Sequence, residues 1–257
     1  MAHKNQRNMS PMRSHQGRMH KKPEAIFTAN EANDRMLGLF KNHGIGHITH
    51  SERHKLAEFY VLLMQNQTKE NFTRLLTLKD VAIRHFVDCL LVPKLYPLQF
   101  PLMDLGSGPG FPGIPLKVIF PKEKIILAEG VQRRVEFLKT ARESLRLEAL
   151  PIIGRNVNPY FAYPVRGVIT RAVEDVGNTL SNVLTCLDVG GEVYFMKGPN
   201  VQPELDAIPE SLKEFYRLKK DIAYDIPNTT HKRRLVIFEK FKAAPLPDFD
   251  EEPWPED

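Results

Sequence analysis

Gly106, Gly108 and Gly110, with Gly113 close behind, are the residues of this 257-residue chain most able to hold a ligand for chemistry. They lie in Met103-Asp104-Leu105-Gly106-Ser107-Gly108-Pro109-Gly110-Phe111-Pro112-Gly113. Ahead is a short apolar run, Phe100 to Leu105, that reads as a buried strand. Behind, Pro115 to Phe120 reads as an apolar helix closed by Pro121. Glycines in a strand-to-helix turn let the backbone bend sharply and approach a ligand with no Cβ in the way. The following helix presents free amides and a positive dipole end to the turn.

Spacing narrows the ligand. A dinucleotide fingerprint needs G-x-G-x-x-G from the strand end. From Gly106 the sixth position is Phe111, so that register fails; Gly108, Gly110 and Gly113 fit it, but three residues late and with Pro109 and Pro112 inside. Asp104 followed by G-x-G-x-G instead looks like the first motif of S-adenosylmethionine-dependent methyltransferases. The next apolar run, Ile125-Ile126-Leu127-Ala128, ends at Glu129, whose carboxylate can accept both hydroxyls of an adenosine ribose. Such a carboxylate serves NAD and adenosylmethionine alike. The donor-site candidates are Asp104, Gly106, Ser107, Gly108, Gly110, Phe111, Glu129 and Gly130.

Those residues need a scaffold that presents strand ends. From residue 100 the chain alternates: strand 100–105, helix 112–119, strand 124–129, helix 131–146, strands 150–153 and 166–170, helix 174–186, strand 191–197. A helix near 203–213 then leads to two final strands, 215–225 and 234–240. Alternation implies a parallel sheet with right-handed crossovers. Two closing strands without a helix between them imply an antiparallel hairpin at one edge. This is an α/β, Rossmann-like, seven-stranded methyltransferase arrangement, doubly wound and mostly parallel.

Ahead of it, Thr28-Ala29-Asn30-Glu31 is a capping box for a helix reaching His43. Ser51 can cap a second helix, and a third runs from Lys79 to about Leu91, stopping before Pro93. The chain therefore divides into a basic arm (1–25), a helical subdomain (26–95), a methyltransferase domain (96–242) and an acidic tail (243–257). The arm carries +5 and the tail −6; both lack apolar periodicity and read as disordered. His43, His47, His50 and His54 have metal-like spacing, but Gly44, Gly46 and Ser51 break the helix they need, so no metal is expected. Cys89 and Cys186 are too few for a disulfide framework. No run is long enough to span a membrane and no secretory signal is present, so the chain reads as cytosolic.

Ligands of such sheets bind beyond the carboxyl ends of the strands. Those ends are Gly106 to Phe111, Glu129-Gly130, Gly154 to Val157, Thr170-Arg171-Ala172 and Lys197-Gly198. Arg155, Arg171 and Lys197, with Arg133 and Arg134 opening the next helix, make a basic rim that suits a polyanion. Methyl transfer from a sulfonium is an in-line displacement, in which the protein mainly aligns donor and acceptor. Asn158-Pro159-Tyr160-Phe161 only hints at the element of base-amino methyltransferases, and neither cysteine lies where pyrimidine C5 chemistry needs one. A guanine N7 offers an in-plane lone pair and needs no general base. Arg171 suits that case, since an arginine can hold a phosphate or a guanine edge.

The chain resembles the RsmG/GidB (glucose-inhibited division protein B) family, which methylates a guanine N7 in bacterial 16S ribosomal RNA. The resemblance rests on Asn71-Phe72-Thr73, Arg84-His85-Phe86-Val87-Asp88, Asp104 to Pro115, Arg133 to Leu138, Gly154-Arg155, Thr170-Arg171-Ala172, Lys197-Gly198 and Arg233-Arg234-Leu235-Val236. It implies donor binding at Gly106, Phe111, Asn156, Val157 and Arg171. It also implies that Arg133, Arg134, Arg155 and Lys197 serve the donor pocket or the RNA, with Arg84, His85, Arg233 and Arg234 facing RNA. The partner implied is 16S rRNA or the small ribosomal subunit. The chain departs from the family at Asn156-Val157, usually Ala-Glu or Val-Glu, at Asn66, near a usual tryptophan, at Val173, usually phenylalanine, and at Arg234, commonly histidine. A non-catalytic RNA-binding or nucleotide-sensing relative, a methyltransferase for another acceptor, and an NAD-dependent oxidoreductase are the alternatives. The oligomeric state is open, with a monomer favoured.

Overall fold

A computed structural model describes residues 22, 23, 25–171 and 174–245. The basic arm up to Lys21, most of the acidic tail, and Ala172-Val173 lie outside the described residues.

Seven strands form one sheet in the order β3-β2-β1-β4-β5-β7-β6. They are β1 (Leu102–Leu105), β2 (Ile125–Ala128), β3 (Ile152–Ile153), β4 (Val165–Arg171), β5 (Leu187–Lys197), β6 (Tyr216–Asp225) and β7 (Lys232–Lys240). Strands β1 to β5 pair parallel, and β7 runs antiparallel between β5 and β6. Strand β1 is buried throughout, as expected of a parallel strand covered on both faces. Chain order reverses between β1 and β4, the point at which open α/β sheets leave a crevice.

Side-chain alternation along the strands feeds two separate cores. Leu102, Ile125 and Leu127 face one, while Met103, Ile126 and Val168 face the other. The first core also holds Phe40, Phe59 and Phe86 of the N-terminal helices, together with Phe137 and Leu138. The helical segment ahead of the sheet therefore shares its core with the sheet. The second core lies under α7 (Val176–Asn182), α8 (Gln202–Asp206) and α9 (Glu210–Lys213).

Helix α1 (Ala29–Asn42) starts with the capping box at Thr28 and Glu31. Helix α2 (His50–Glu70) is capped by Thr49 with Glu52, not by Ser51. Thr49-His50-Ser51-Glu52 is itself a capping-box sequence, so the hydroxyl three residues before a glutamate wins. The third helix is longer and less regular than its sequence suggests. A turn of α-helix, α3 (Leu78–Val81), passes into a π-helical turn (Ala82–Val87) and then into α4 (Asp88–Leu95), which carries Pro93 inside it. Pro93 lies in the last turn, and the Tyr96 N–H still reaches the Val92 carbonyl, so the helix survives. Helices α5 (Gly113–Ile119) and α6 (Gln132–Ser144) complete this layer. Elsewhere α7 ends at Asn182 rather than 186, β5 begins at Leu187 rather than 191, and the segment near 203–213 is two short helices. Among the described residues no helix is long and apolar enough to cross a membrane.

Candidate active site

The glycine turn is held in shape from below. Asp104, fully buried, accepts the Gly113 N–H on Oδ2 at 2.8 Å. A Cβ on Gly113 would stand 2.3 Å from Leu127 and 2.7 Å from that oxygen, so only glycine lets the turn close on β1. Gly110 has φ +106 and packs on Ile114, a conformation that side-chain-bearing residues rarely adopt. Ser107 donates its hydroxyl to the Asp104 carbonyl. Asp104 and Gly110 thus shape the turn from outside the cavity, whereas Gly106, Ser107, Gly108 and Phe111 line it.

The cavity, about 450 Å³, opens beyond the carboxyl ends of β1, β2 and β4 and is also lined by Glu129, Gly130, Arg134, Asn156 and Arg171. Glu129, 5% exposed, accepts the Gly108 N–H on Oε2 and the Val131 N–H on Oε1, both at 2.8 Å. Each oxygen keeps a free acceptor position. Arg134 lies 3.5 Å from Oε2. Gly130 is pressed against the Asn156 side chain, where a Cβ would meet Oδ1 at 1.9 Å. Val157 is buried in the cavity floor. Arg155 lies over the Phe161 ring at 5.3 Å.

Arg171, at the end of β4, is fixed by the N-terminal layer. Its Nη2 donates to His85 Nδ1 at 2.8 Å, and its Nη1 reaches the Arg84 carbonyl at 3.4 Å. A guanidinium can only donate, so His85 Nδ1 is an acceptor and the ring proton sits on Nε2. Nε2 then donates to Thr73 Oγ1 at 3.0 Å, and Gln67 clamps the Thr73 backbone with two hydrogen bonds. Burial first, then the Arg171 and Arg84 charges, hold His85 well below the usual histidine range, so the ring stays neutral. It stacks on Phe111 at 4.3 Å, and the Arg171 guanidinium lies 5.3 Å from the same ring. Buried Asp88 stands 3.9 Å from Arg171, takes the Tyr224 hydroxyl at 3.2 Å, and lies 3.4 Å from Arg233. The π-helical turn places Arg84 and His85 against Arg171, a frequent position for such turns.

The remaining sequence candidates scatter. Arg133 is well exposed and pairs with Glu70 at 3.4 Å. Lys197, only 8% exposed, donates to Glu204 Oε2 at 2.6 Å and to the Glu174 carbonyl at 2.7 Å. It does not line the cavity. Arg234 is tied to Asp221 and to Gln202. The histidines singled out for spacing cap and brace α1 and α2: His43 bonds the Leu39 carbonyl, His50 meets Asn33 and His54 meets Asn30. Among the described residues no group of three or more His, Cys, Asp and Glu is placed to hold a metal ion. Four residues carry roles that sequence reasoning did not assign. Thr73 and Asp88 lie in quoted motifs yet gained no function there, whereas Glu174 and Asn182 line the cavity and bond each other at 2.9 Å.

A family model described as GidB, rRNA small subunit methyltransferase G, matches residues 52–236. A Bdellovibrio bacteriovorus protein named ribosomal RNA small subunit methyltransferase G 2 is 59% identical over 232 residues, covering 90% of this chain and 91% of that protein. The chain belongs to this family. A Pelotomaculum thermopropionicum protein, ribosomal RNA small subunit methyltransferase G, is 31% identical over 77% of this chain and 86% of its own. Solved structures add the fold alone. TrmN from Thermus thermophilus matches with a TM-score of 0.50 at 14% identity, over 61% of this chain and 49% of that one. A point mutant of MtNAS matches with a TM-score of 0.51 at 11% identity, over 83% of this chain and 86% of that one.

The cavity of this GidB-family chain fits an adenosyl donor on its own geometry. Glu129 presents both carboxylate oxygens at the cavity wall, each already holding one backbone N–H. A Cβ placed on Gly108 meets nothing within 4 Å, so that stretch of turn is open.

Proposed function

We infer that this chain transfers a methyl group from S-adenosylmethionine to N7 of a guanine in bacterial small-subunit ribosomal RNA. Family membership supports the methyltransferase class and the RNA. The observation that supports the acceptor atom is the state of Arg171: it is held at the cavity wall by His85, the Arg84 carbonyl and Phe111, and the described bases next to it, neutral His85 and Asp88 (bonded by Tyr224 and 3.4 Å from Arg233), are already engaged. His85 has both ring nitrogens engaged. Glu174 accepts from Asn182. An acceptor that already presents an in-plane lone pair needs no proton removed before attack.

The donor supplies an activated methyl on a sulfonium. Glu129 would hold the ribose diol, the glycine turn the adenosyl and methionyl parts, and Asn156 and Val157 the adenine side. Arg171 would orient the purine edge or the phosphate beside it. Arg133, Arg134 and Arg155 would draw the RNA backbone toward the cavity mouth. We place this reaction in the cytoplasm, on the RNA or the assembled subunit.

The test uses purified protein, radiolabelled donor and small-subunit rRNA from cells lacking this chain, naked and in assembled subunits. Nuclease digestion and chromatography should return the label as 7-methylguanosine. Label in another nucleoside would overturn the N7 assignment, and no label with any small-subunit RNA, despite calorimetric donor binding, would overturn the acceptor class.

A further inference from the structure

A second cavity, about 540 Å³, lies between the π-helical turn and the β6–β7 turn. Its volume is within the range of about 300–1,000 Å³ typical of small-ligand sites. Lys79 and Arg84 line it from one side and Thr230 and His231 from the other. Among the described residues neither Lys79 nor Arg84 has a side-chain hydrogen-bond or ion-pair partner. Both groups are donors only, so what completes them is an anion. Asp80 is the acid in the lining, and it is already the partner of the Thr77 hydroxyl at 2.8 Å.

The far wall is preformed. Thr229 donates its hydroxyl to the Ile226 carbonyl, and the Asn228 amide bonds the Asn42 carbonyl at the end of α1. That leaves the Thr230 hydroxyl and the His231 ring free to meet a ribose or a base edge.

Position selects the ligand. The Arg84 carbonyl accepts from Arg171 in the donor cavity, while the Arg84 side chain lines the second one. The two cavities thus lie on opposite sides of one residue. We propose that the second cavity is a nucleotide subsite, in which Lys79 and Arg84 hold a backbone phosphate next to the acceptor nucleotide and Thr230 and His231 meet its sugar or base. This rests on the reading of the chain as an RNA methyltransferase and names where the flanking strand goes. It also gives an enzyme that must extract one base from its stack a grip on the neighbouring nucleotide.

The experiment measures binding of a small-subunit rRNA oligonucleotide, containing the acceptor guanine and its flanks, across a salt series. Full-length wild type is compared with the Lys79→Gln/Arg84→Gln double variant and with Thr230→Arg. Donor binding by calorimetry and methylation of the same RNA run in parallel. The double variant should bind RNA about 10-fold more weakly, and its log–log salt slope should shrink by about 0.7 per lost phosphate contact. Its donor affinity should stay within about twofold. Thr230→Arg should steepen the slope by a similar step.

Unchanged slopes in both variants, with wild type methylating the RNA, would overturn the subsite and leave the functional reading intact. Changed slopes without any methylation would leave the subsite standing and remove that reading. The acidic tail is the competing occupant. If neutralising Asp248, Asp250, Glu251 and Glu252 tightens RNA binding in wild type but not in the double variant, the cavity holds the tail and the proposal fails.

Discussion

Basic side chains in two regions of this molecule are used in opposite ways: those at the end of β5 and in the β6–β7 hairpin are tied to protein acceptors, whereas Lys79 and Arg84 beside the π-helical turn are not. Lys197 is clamped by Glu204 and the Glu174 carbonyl, and Lys240 by the carbonyls of Leu184 and Leu187. Arg234 is held by Asp221 at the adjoining hairpin edge. These cations are spent on acceptors of the protein itself rather than facing an open cavity. Beside the π-helical turn, Lys79 and Arg84 line an open cavity without partners among the described residues. Arg171 stands between the two cases: its hydrogen bonds go to His85 and the Arg84 carbonyl, the Asp88 carboxylate lies 3.9 Å away, and its other side is open to the cavity.

Substitutions separate these situations. Arg171→Ala should cost the most, lowering kcat/KM for RNA about 100-fold, since misplacing one group at the reacting centre has that scale. Lys197→Gln should act on stability instead. It takes the charged donor from the Glu174 carbonyl and from Glu204 Oε2, which keeps the Val176 N–H, and this costs about 2 kcal/mol in a denaturant titration, with the rate per folded molecule preserved. His85→Leu removes the acceptor that aims Arg171. It should lower kcat/KM about 10-fold per folded molecule and cost about 1 kcal/mol in the same titration, since Thr73 and Arg171 each lose a partner; His85→Gln, which can still accept from Arg171, should recover part of the rate.

The remaining effect is a pH dependence. Burial pushes the Asp104 carboxyl up to about 7, with the Gly113 N–H opposing it. A folded-state value above the unfolded one, about 3.9, means the contribution is favourable below pH 4 and is lost as pH rises through 7. Asp104→Asn should therefore flatten the pH 4–7 part of the stability curve, read as Tm at pH 5 and pH 8. Parallel curves for wild type and variant would contradict a protonated Asp104.

Much of this was legible in the sequence. The alternation of apolar runs and amphipathic helices set out the order of strands, and the closing pair of strands marked the antiparallel edge, because both follow from local periodicity. The glycine turn was legible through its spacing and through Glu129. The charge on Lys197 was legible, but its clamp was not, because the Glu174 carbonyl ahead of α7 and the Glu204 side chain on α8 meet it only in the folded chain. The π-helical turn has no sequence signal of the kind that glycine and proline provide. Without it, Arg84 and His85 read as two surface bases rather than as the support of Arg171. Thr49 escapes for the opposite reason: its signal is present, and a neighbouring serine competes with it.

The most direct measurement is single-turnover methyl transfer to small-subunit rRNA by wild type, Arg171→Ala and Lys197→Gln, each scaled to its folded fraction. Arg171→Ala should lose about 100-fold in rate per folded molecule, and Lys197→Gln should keep its rate per folded molecule while losing stability. A full rate in Arg171→Ala, or a rate loss in folded Lys197→Gln, would contradict the assignment of Arg171 to the reaction and of Lys197 to the scaffold.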